Sequence, residues 1–379
     1  MIRGERLLKK CKILFTIPNF DTAGSGKALL NIANRLDNYF YEPHIACLHS
    51  KGDYFSIVES SGIPIHIFKF TSSMTNRIKG LINCWKISRQ MKAINPNIIY
   101  SFHYAPDYSE GLAAKMAGIP WIFSKKNMNW GGKSKNSWIL RSLLAKHIVI
   151  LNTDLEKIFY PKSDKTTLIY RGIDLNEFSM NIKNKSLQNI GIPQDSKVIM
   201  VVANLAPVKG IEYLIDAFKF INDEGNSTYL IIVGEKNNEY GIRLQKMAKF
   251  TKSDKIIFLG KRSDVASVLQ FADIFVLPTV YNKGGEGLPV SLLEAMASGI
   301  PVLASNVSGN RDVLKSMPDQ LFAPENVMKL ADKLNWMLDL KNYKINQIVK
   351  NQLFIVQKYF SISLEVKRHS ELFKQKILN

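Results

Sequence analysis

The stretch ADIFVLPTVYNKGGEGLPVSLLEAMASGIPVLASNVSGNRD, residues 272–312, decides how the chain is read. DIFVLP has the length of a buried strand, and PVLAS is a second one. Between them, EGLP opens a helical run, SLLEAMA. The segment therefore reads strand, loop, helix, strand, the repeating unit of a parallel sheet. Glu286 and Glu294 flank the turn with seven residues between them. A carboxylate on the loop and another one or two turns into the helix address two points of one ligand. The helix N-terminus between them offers free N–H groups and partial positive charge, which suits a phosphate. Hydroxyls for the carboxylates and a diphosphate for the amides describe a seat for a sugar nucleotide.

Outward from this stretch the same alternation fills the chain. KILFTIP reads as the first strand, DTAGSG as a glycine-containing loop and KALLNIANRL as the first helix. HIACL, IHIFKF, IIYSF, WIFSK and HIVIL read as buried strands, and KTTLIYRGID closes the first half. A second alternation runs from SKVIMVVAN through YLIIVG, IIFLG, DIFVLP and PVLAS to QLFA. Strands alternating with helices predict parallel sheets covered on both faces. The fold class is thus α/β, with two Rossmann-like, doubly wound domains facing a cleft at their strand C-termini. The polar stretch Met180–Lys185 marks the boundary. Residues 1–180 form the first domain and 181–352 the second, and 353–379 are a C-terminal helical segment.

Bulk properties narrow the function. At 379 residues the chain is long enough for two full cores. No apolar run approaches the roughly 20 residues of a membrane span, and the basic start lacks a small-residue cleavage site. Cys11, Cys47 and Cys84 are odd in number and far apart, which predicts reduced thiols in the cytosol and no metal spacing. The net charge is +19. Residues 1–180 hold 25 Lys and Arg against 13 Asp and Glu, and no acid stands between Glu59 and Asp107. Such a field attracts an anionic membrane, nucleic acid or an acidic substrate; the plainer reading is a solvated basic surface.

Gly24 and Gly26 sit at a strand-to-helix turn. The phosphate-loop pattern fails there, because Asp21 and Ala28 occupy key positions, and the dinucleotide pattern fails at Leu29. Two glycines that admit close backbone approach remain, or a plain turn. Lys209, before Gly210, follows the first strand of the second half and puts an ammonium over a diphosphate, or merely starts a helix. His103 follows a strand and has the chemistry to bond a substrate hydroxyl, although a lone histidine is commonly structural. No histidine pairs with Cys or in H-E-x-x-H, so no metal site is expected. Ile78, Leu81, Ile82 and Trp85 recur at helical spacing beside Lys79, Lys86 and Arg89. That is either core packing or an amphipathic helix for anionic lipid. Trp121, Trp130 and Trp138 stand among basic residues, but no nucleic-acid module accompanies them.

Together these residues resemble the retaining, nucleotide-sugar-dependent glycosyltransferases of family 4, with the GT-B fold. EGLPVSLLEAMASGIPVLAS, Glu286 to Ser305, is similar to the family's E-x7-E motif and following strand. YRGIDLNEF, Tyr170 to Phe178, resembles its N-G-V-D-x-x-x-F, with Arg171 in place of the usual Asn. NLAPVKG, Asn204 to Gly210, resembles G-R-L-x-x-x-K-G. The resemblance implies that Glu286 bonds donor-sugar hydroxyls and Glu294 the ribose. It implies that the amides of Gly287 and Leu288 face sugar and diphosphate, and that Lys209 neutralises the leaving group. Gly24 and Gly26 would let the first loop approach that phosphate, and His103 would lie near the sugar. Glu286, His103 and Lys209 are thus the catalytic candidates. Asn204 stands where the family carries Arg, and Arg262 is the candidate substitute among the donor-binding residues. The C-terminal helix is expected to return to the first domain.

The implied reaction is transfer of a sugar, with retention, from a nucleoside-diphosphate sugar to a hydroxyl of a lipid-linked or cell-surface glycan. No cofactor or metal is required. The setting is bacterial surface-polysaccharide synthesis, in the cytoplasm or peripheral on the inner face of the plasma membrane. A nucleotide-sugar epimerase or phosphorylase would share the scaffold. A non-enzymatic basic binder of membrane or nucleic acid explains the charge and leaves the glutamate motif without a role.

Overall fold

A computed structural model describes residues 10–21, 23–52, 54–128, 134–178, 190–221, 228–251, 254–281 and 286–378. Trp130 and the expected boundary at Met180–Lys185 lie outside them. Contacts divide the chain into two units, Met1–Tyr170 with Ile362–Asn379, and Arg171–Ser361.

The first unit holds β1 (Cys11–Thr16), β2 (Tyr41–Cys47), β3 (Ile65–Ile67), β4 (Ile98–Ser101), β5 (Trp121–Lys125), β6 (His147–Ile150) and β7 (Thr166–Leu168). They form one sheet in the order β3-β2-β1-β4-β5-β6-β7, with parallel neighbours throughout. The central strands β4, β5 and β6 are buried along their whole length because helices cover both faces, whereas β3 and β7 at the sheet edges are only partly buried. Right-handed crossovers put α1 (Ala23–Arg35) and α2 (Phe55–Glu59) on one face. On the other lie α3 (Arg77–Ile94), α4 (Ser109–Ala117), α5 (Lys135–Leu144) and α6 (Thr153–Phe159).

Two elements differ from the sequence reading. α1 begins at Ala23, so Gly24 and Gly26 lie in its first turns and not in a preceding loop. IHIFKF yields only a three-residue strand. Trp121 and Trp138 are buried, which accounts for them as packing.

The second unit repeats the plan with β8 (Lys197–Val202), β9 (Thr228–Val233), β10 (Ile256–Gly260), β11 (Ile274–Leu277), β12 (Val302–Ser305) and β13 (Leu321–Phe322). Their order is β10-β9-β8-β11-β12-β13. Its helices include α7 (Ile211–Phe218), α8 (Glu239–Phe250), α9 (Val265–Leu269), α10 (Val290–Ala297), α11 (Asn310–Val313), α12 (Val327–Leu338) and α13 (Asn342–Tyr359). In both sheets the order reverses beside the first strand, β1 or β8. Ligands of such sheets sit outside the strand C-termini at that reversal.

The tail is split. α13, which contains residues 353–359, belongs to the second unit, whereas α14 (Ile362–Leu378) belongs to the first. α14 packs beside α1. Phe373 meets Phe15 edge-on at 6.3 Å, and the Tyr100 hydroxyl bonds His369 Nε2 at 2.9 Å. Among the described residues no helix is long and apolar enough to cross a membrane.

Candidate active site

In the second unit, the chain leaves β8, passes the exposed Asn204 and forms a 3-10 turn at Pro207–Lys209. Gly210 then takes φ +61° and starts α7. An added Cβ there would lie 2.2 Å from the Pro278 carbonyl oxygen and 2.8 Å from Val280 Cγ1. This residue must be glycine, because the turn lies directly against the loop that follows β11. The Val280 N–H donates to the Val208 carbonyl at 2.9 Å, closing the two loops together. α8 braces them from behind: Asn238 Nδ2 donates to the Leu205 carbonyl at 2.9 Å, and the Ile211 N–H donates to the Tyr240 hydroxyl at 3.2 Å.

That seam brings Lys209 to Glu286. The ammonium donates to Glu286 Oε2 at 2.5 Å, with only 19% and 13% of the two side chains exposed. Thr279 Oγ1 donates to the same oxygen at 3.2 Å. Ser305 Oγ donates to the Thr279 carbonyl at 2.6 Å, and Asn310 Nδ2 to the Ser305 carbonyl at 2.9 Å, so β12 and α11 fix the loop. Gly309, at φ +79°, sits where a Cβ would lie 2.7 Å from the Gly287 carbonyl oxygen. Leu288 is buried and anchors the turn into α10, one turn along which Glu294 is half-buried. Residues 282–285 lie outside the described residues.

Arg262 is not brought to this cluster. It follows β10, the edge strand, with β9 between it and β8, and Asp264 clamps its guanidinium through two bonds of 2.8 Å.

In the first unit, His103 follows β4. Its ring stands edge-on to Phe70 at 6.4 Å, and Nδ1 is buried with no hydrogen-bond partner among the described residues. Burial, and then the charges of Arg141 and Lys126, push its pKa down to about 3, so the ring is neutral. Lys126, just past β5, donates to the Phe102 carbonyl at 2.6 Å and to Ser25 Oγ at 3.2 Å. The Gly24–Gly26 turn, Lys126 and His103 therefore share the C-terminal edge of this sheet. Gly26 is glycine for packing, since a Cβ would lie 2.8 Å from the Phe20 ring, while a Cβ on Gly24 would meet nothing within 4 Å.

Beneath them Glu110 is fully buried and accepts from Ser101 Oγ at 2.6 Å. Burial raises its pKa, against the lowering field of Arg141. Arg141 is also fully buried; it donates to the His103 carbonyl at 3.0 Å and lies over the Phe123 ring at 4.6 Å. Sequence reasoning missed Thr279 and Lys126 as site neighbours. In the sequence Lys126 is one of the 25 basic residues of the first 180 with no motif around it, and a lone Thr after a strand carries none either.

His103 predicts an acid sensitivity. It stays neutral in the fold, whereas the unfolded chain takes up its proton near the ordinary pKa of about 6.5. Its contribution to stability is complete above that value and is lost as pH falls toward about 3. Urea midpoints are expected to drop between neutral pH and pH of about 5, and to drop less in His103→Gln. His147, held to about 4 mainly by burial, and His66, also lowered mainly by burial, add to the dependence in both proteins. An identical slope in the variant contradicts the assignment.

Among the described residues, no group of three or more His, Cys, Asp or Glu is placed to hold a metal. Residues 182–352 match the model for Glycosyl transferases group 1, and residues 22–177 that for Glycosyltransferase Family 4. The chain is 24% identical over 325 residues to the Escherichia coli UDP-Gal:α-D-GlcNAc-diphosphoundecaprenol α-1,3-galactosyltransferase, covering 81% of this chain and 82% of that one. It is 25% identical over 350 residues to the Campylobacter jejuni N,N'-diacetylbacillosaminyl-diphospho-undecaprenol α-1,3-N-acetylgalactosaminyltransferase, covering 86% and 90%. The crystal structure of Anabaena HepE in complex with UDP and glucose shares the fold, with a TM-score of 0.81 at 19% identity over 96% of this chain and 100% of that one.

Proposed function

Since the chain belongs to glycosyltransferase family 4 and has a GT-B fold, we propose that it moves a sugar from a nucleoside-diphosphate donor to a hydroxyl of a lipid-linked glycan, with retention. The observation that carries this reading is the Lys209–Glu286 pair, an ammonium and a carboxylate 2.5 Å apart beside the N-terminal turn of α10. Breaking a glycosyl–phosphate bond builds negative charge on the diphosphate and positive charge on the sugar. In this reading Lys209 and the amides of Gly287 and Leu288 oppose the first, and Glu286 bonds the sugar hydroxyls. Glu294, on the next turn of α10, is assigned to the ribose. With lysine and amides opposing the diphosphate charge, the reaction needs no metal. In the first domain the neutral ring of His103 is a hydroxyl partner, and the open space at Gly24 admits a ligand to the amides of α1.

The acceptor class rests on the two bacterial relatives, whose names specify diphosphoundecaprenol-linked sugars as acceptors. A UDP-sugar donor is supported by the complex of the Anabaena protein with UDP and glucose. Bacterial surface-polysaccharide synthesis at the cytoplasmic face of the plasma membrane fits both. Incubating the protein with UDP-sugars and polyprenyl-diphosphate-linked sugars in EDTA tests the reading. A glycosylated lipid in the mass spectrum is the expected product. A free epimerised nucleotide sugar, or a phosphorolysis product, would point to the rival enzymes.

A further inference from the structure

α3 is apolar on both faces, and only one of them is used inside the domain. Gly80, Cys84, Ile87 and Met91 face inward and are buried. Gly80 lies so close to the preceding loop that a Cβ would be 2.7 Å from Met74 Sδ. Ile78, Leu81, Ile82 and Trp85 recur at i, i+3, i+4 and i+7 on the opposite side, and they are 75%, 45%, 50% and 57% exposed. Core packing, one of the two readings of this pattern, is therefore excluded. The same outward stripe continues at Arg89 and Lys92, with the Arg89 guanidinium 5.8 Å from the Trp85 ring centre. No acid lies on the helix.

We propose that this outer face of α3 docks on an anionic lipid bilayer, and does so obliquely. The first two turns bury aliphatic side chains and an indole among the acyl chains, and the later turns set Arg89 and Lys92 on lipid phosphates. An apolar ridge that grades into cations along one helix matches the depth profile of a bilayer surface. A nucleic acid would leave the aliphatic half without a partner. A second copy would press two carboxylate-free cationic stripes together.

The docking end is also the acceptor end. The loop before α3 is tied to the first turn of α4, where the Ser72 N–H donates to Ser109 Oγ at 2.8 Å. Asn83 Nδ2 of α3 donates to Ser72 Oγ at 3.1 Å, and Phe70, just upstream, stands against the ring of His103. The apolar turns thus share an edge of the domain with the strand end that carries His103. Docking holds that edge at head-group level, where the diphosphate of a polyprenyl-linked acceptor resides. Delivery of the acceptor rests on the glycosyltransferase reading above, whereas docking does not.

The experiment compares the full-length protein with an Ile82→Asn/Trp85→Ser variant and an Arg89→Gln/Lys92→Gln variant. Partition is measured on phosphatidylcholine vesicles with and without phosphatidylglycerol. Transfer is measured in parallel on a short-chain, water-soluble acceptor. Wild type is expected to prefer anionic vesicles, and brominated lipids are expected to quench Trp85 emission. The apolar variant is expected to lose at least about tenfold in partition, and the charge variant about fivefold per residue. Both keep wild-type transfer to the soluble acceptor and lose it on vesicle-borne lipid. Wild-type partition by the apolar variant overturns the proposal, as does a dimer that dissociates on the Trp85 change, or equal loss of transfer on the soluble acceptor. If docking holds and no acceptor is ever glycosylated, the acceptor reading fails and the docking surface stands.

Discussion

Lys209→Ala is expected to lower kcat/KM for sugar transfer by about 10²–10³-fold, the usual cost of deleting a group that opposes charge developing in the transition state. With Glu286 at 2.5 Å, the two charges neutralise each other in the unliganded protein. On the proposed transfer, an arriving donor gives the ammonium a diphosphate and frees the carboxylate for sugar hydroxyls. The pair thereby works as one unit, so Lys209→Ala and Glu286→Gln combined should cost little more than the worse single change. The loss is expected mainly in kcat, because leaving-group charge grows as the bond breaks. Steady-state kinetics on the four proteins supply the check. Near-normal kcat in Lys209→Ala, or fully multiplicative effects, would remove the pair from the chemistry.

Gly210→Ala carries the largest expected effect on stability. A non-glycine residue at φ +61° is already strained, and the added carbon would lie 2.2 Å from a backbone oxygen, which cannot move as a side chain does. To relieve it the Pro278–Val280 loop must retreat and give up the bond between the Val280 N–H and the Val208 carbonyl. A loss of about 3 kcal/mol or more in unfolding free energy is expected. Nucleotide affinity should fall with it, because Lys209 and Thr279 are positioned by that seam. Gly24→Ala is the contrast. Its added carbon meets nothing within 4 Å in the first turn of α1, where Ala suits a helix better than Gly, so unfolding should be unchanged or slightly harder. Equal stability of Gly210→Ala and wild type would refute the packing argument.

Those two glycines also show where sequence reading stops. Gly210 closes a motif in the sequence, but its need for glycine comes from the Pro278 carbonyl packed against it, which only the fold shows. Gly24 and Gly26 looked like loop because glycine disfavours helix, yet α1 starts before them, with Gly26 fitted against Phe20. Strands were readable as continuous apolar runs, a direct result of burial on both faces; WIFSK coincides with β5. The short β3 was not, since pairing partners set strand length at a sheet edge. The break between α13 and α14 has no Gly or Pro to announce it. It is made by a tertiary contact, the Ile173 N–H donating to the Phe360 carbonyl at 2.7 Å. In the site, Lys209 and Glu286 were legible as parts of known motifs, although not as partners of each other. Arg262 was plausible by type, and only the strand order sets it apart from Lys209. The face of α3 left open to solvent was undecidable from spacing, because both faces of that helix are apolar.

The central claim is transfer with retention, and the most direct measurement is the anomeric signal of the product. Purified protein, a UDP-α-sugar and a short-chain polyprenyl-diphosphate sugar are combined in EDTA, and the new glycosidic proton is resolved by NMR. The account predicts a single new linkage whose coupling is that of the α-anomer. A β-linked product, or nucleotide-sugar turnover with no new glycosidic bond, would contradict it.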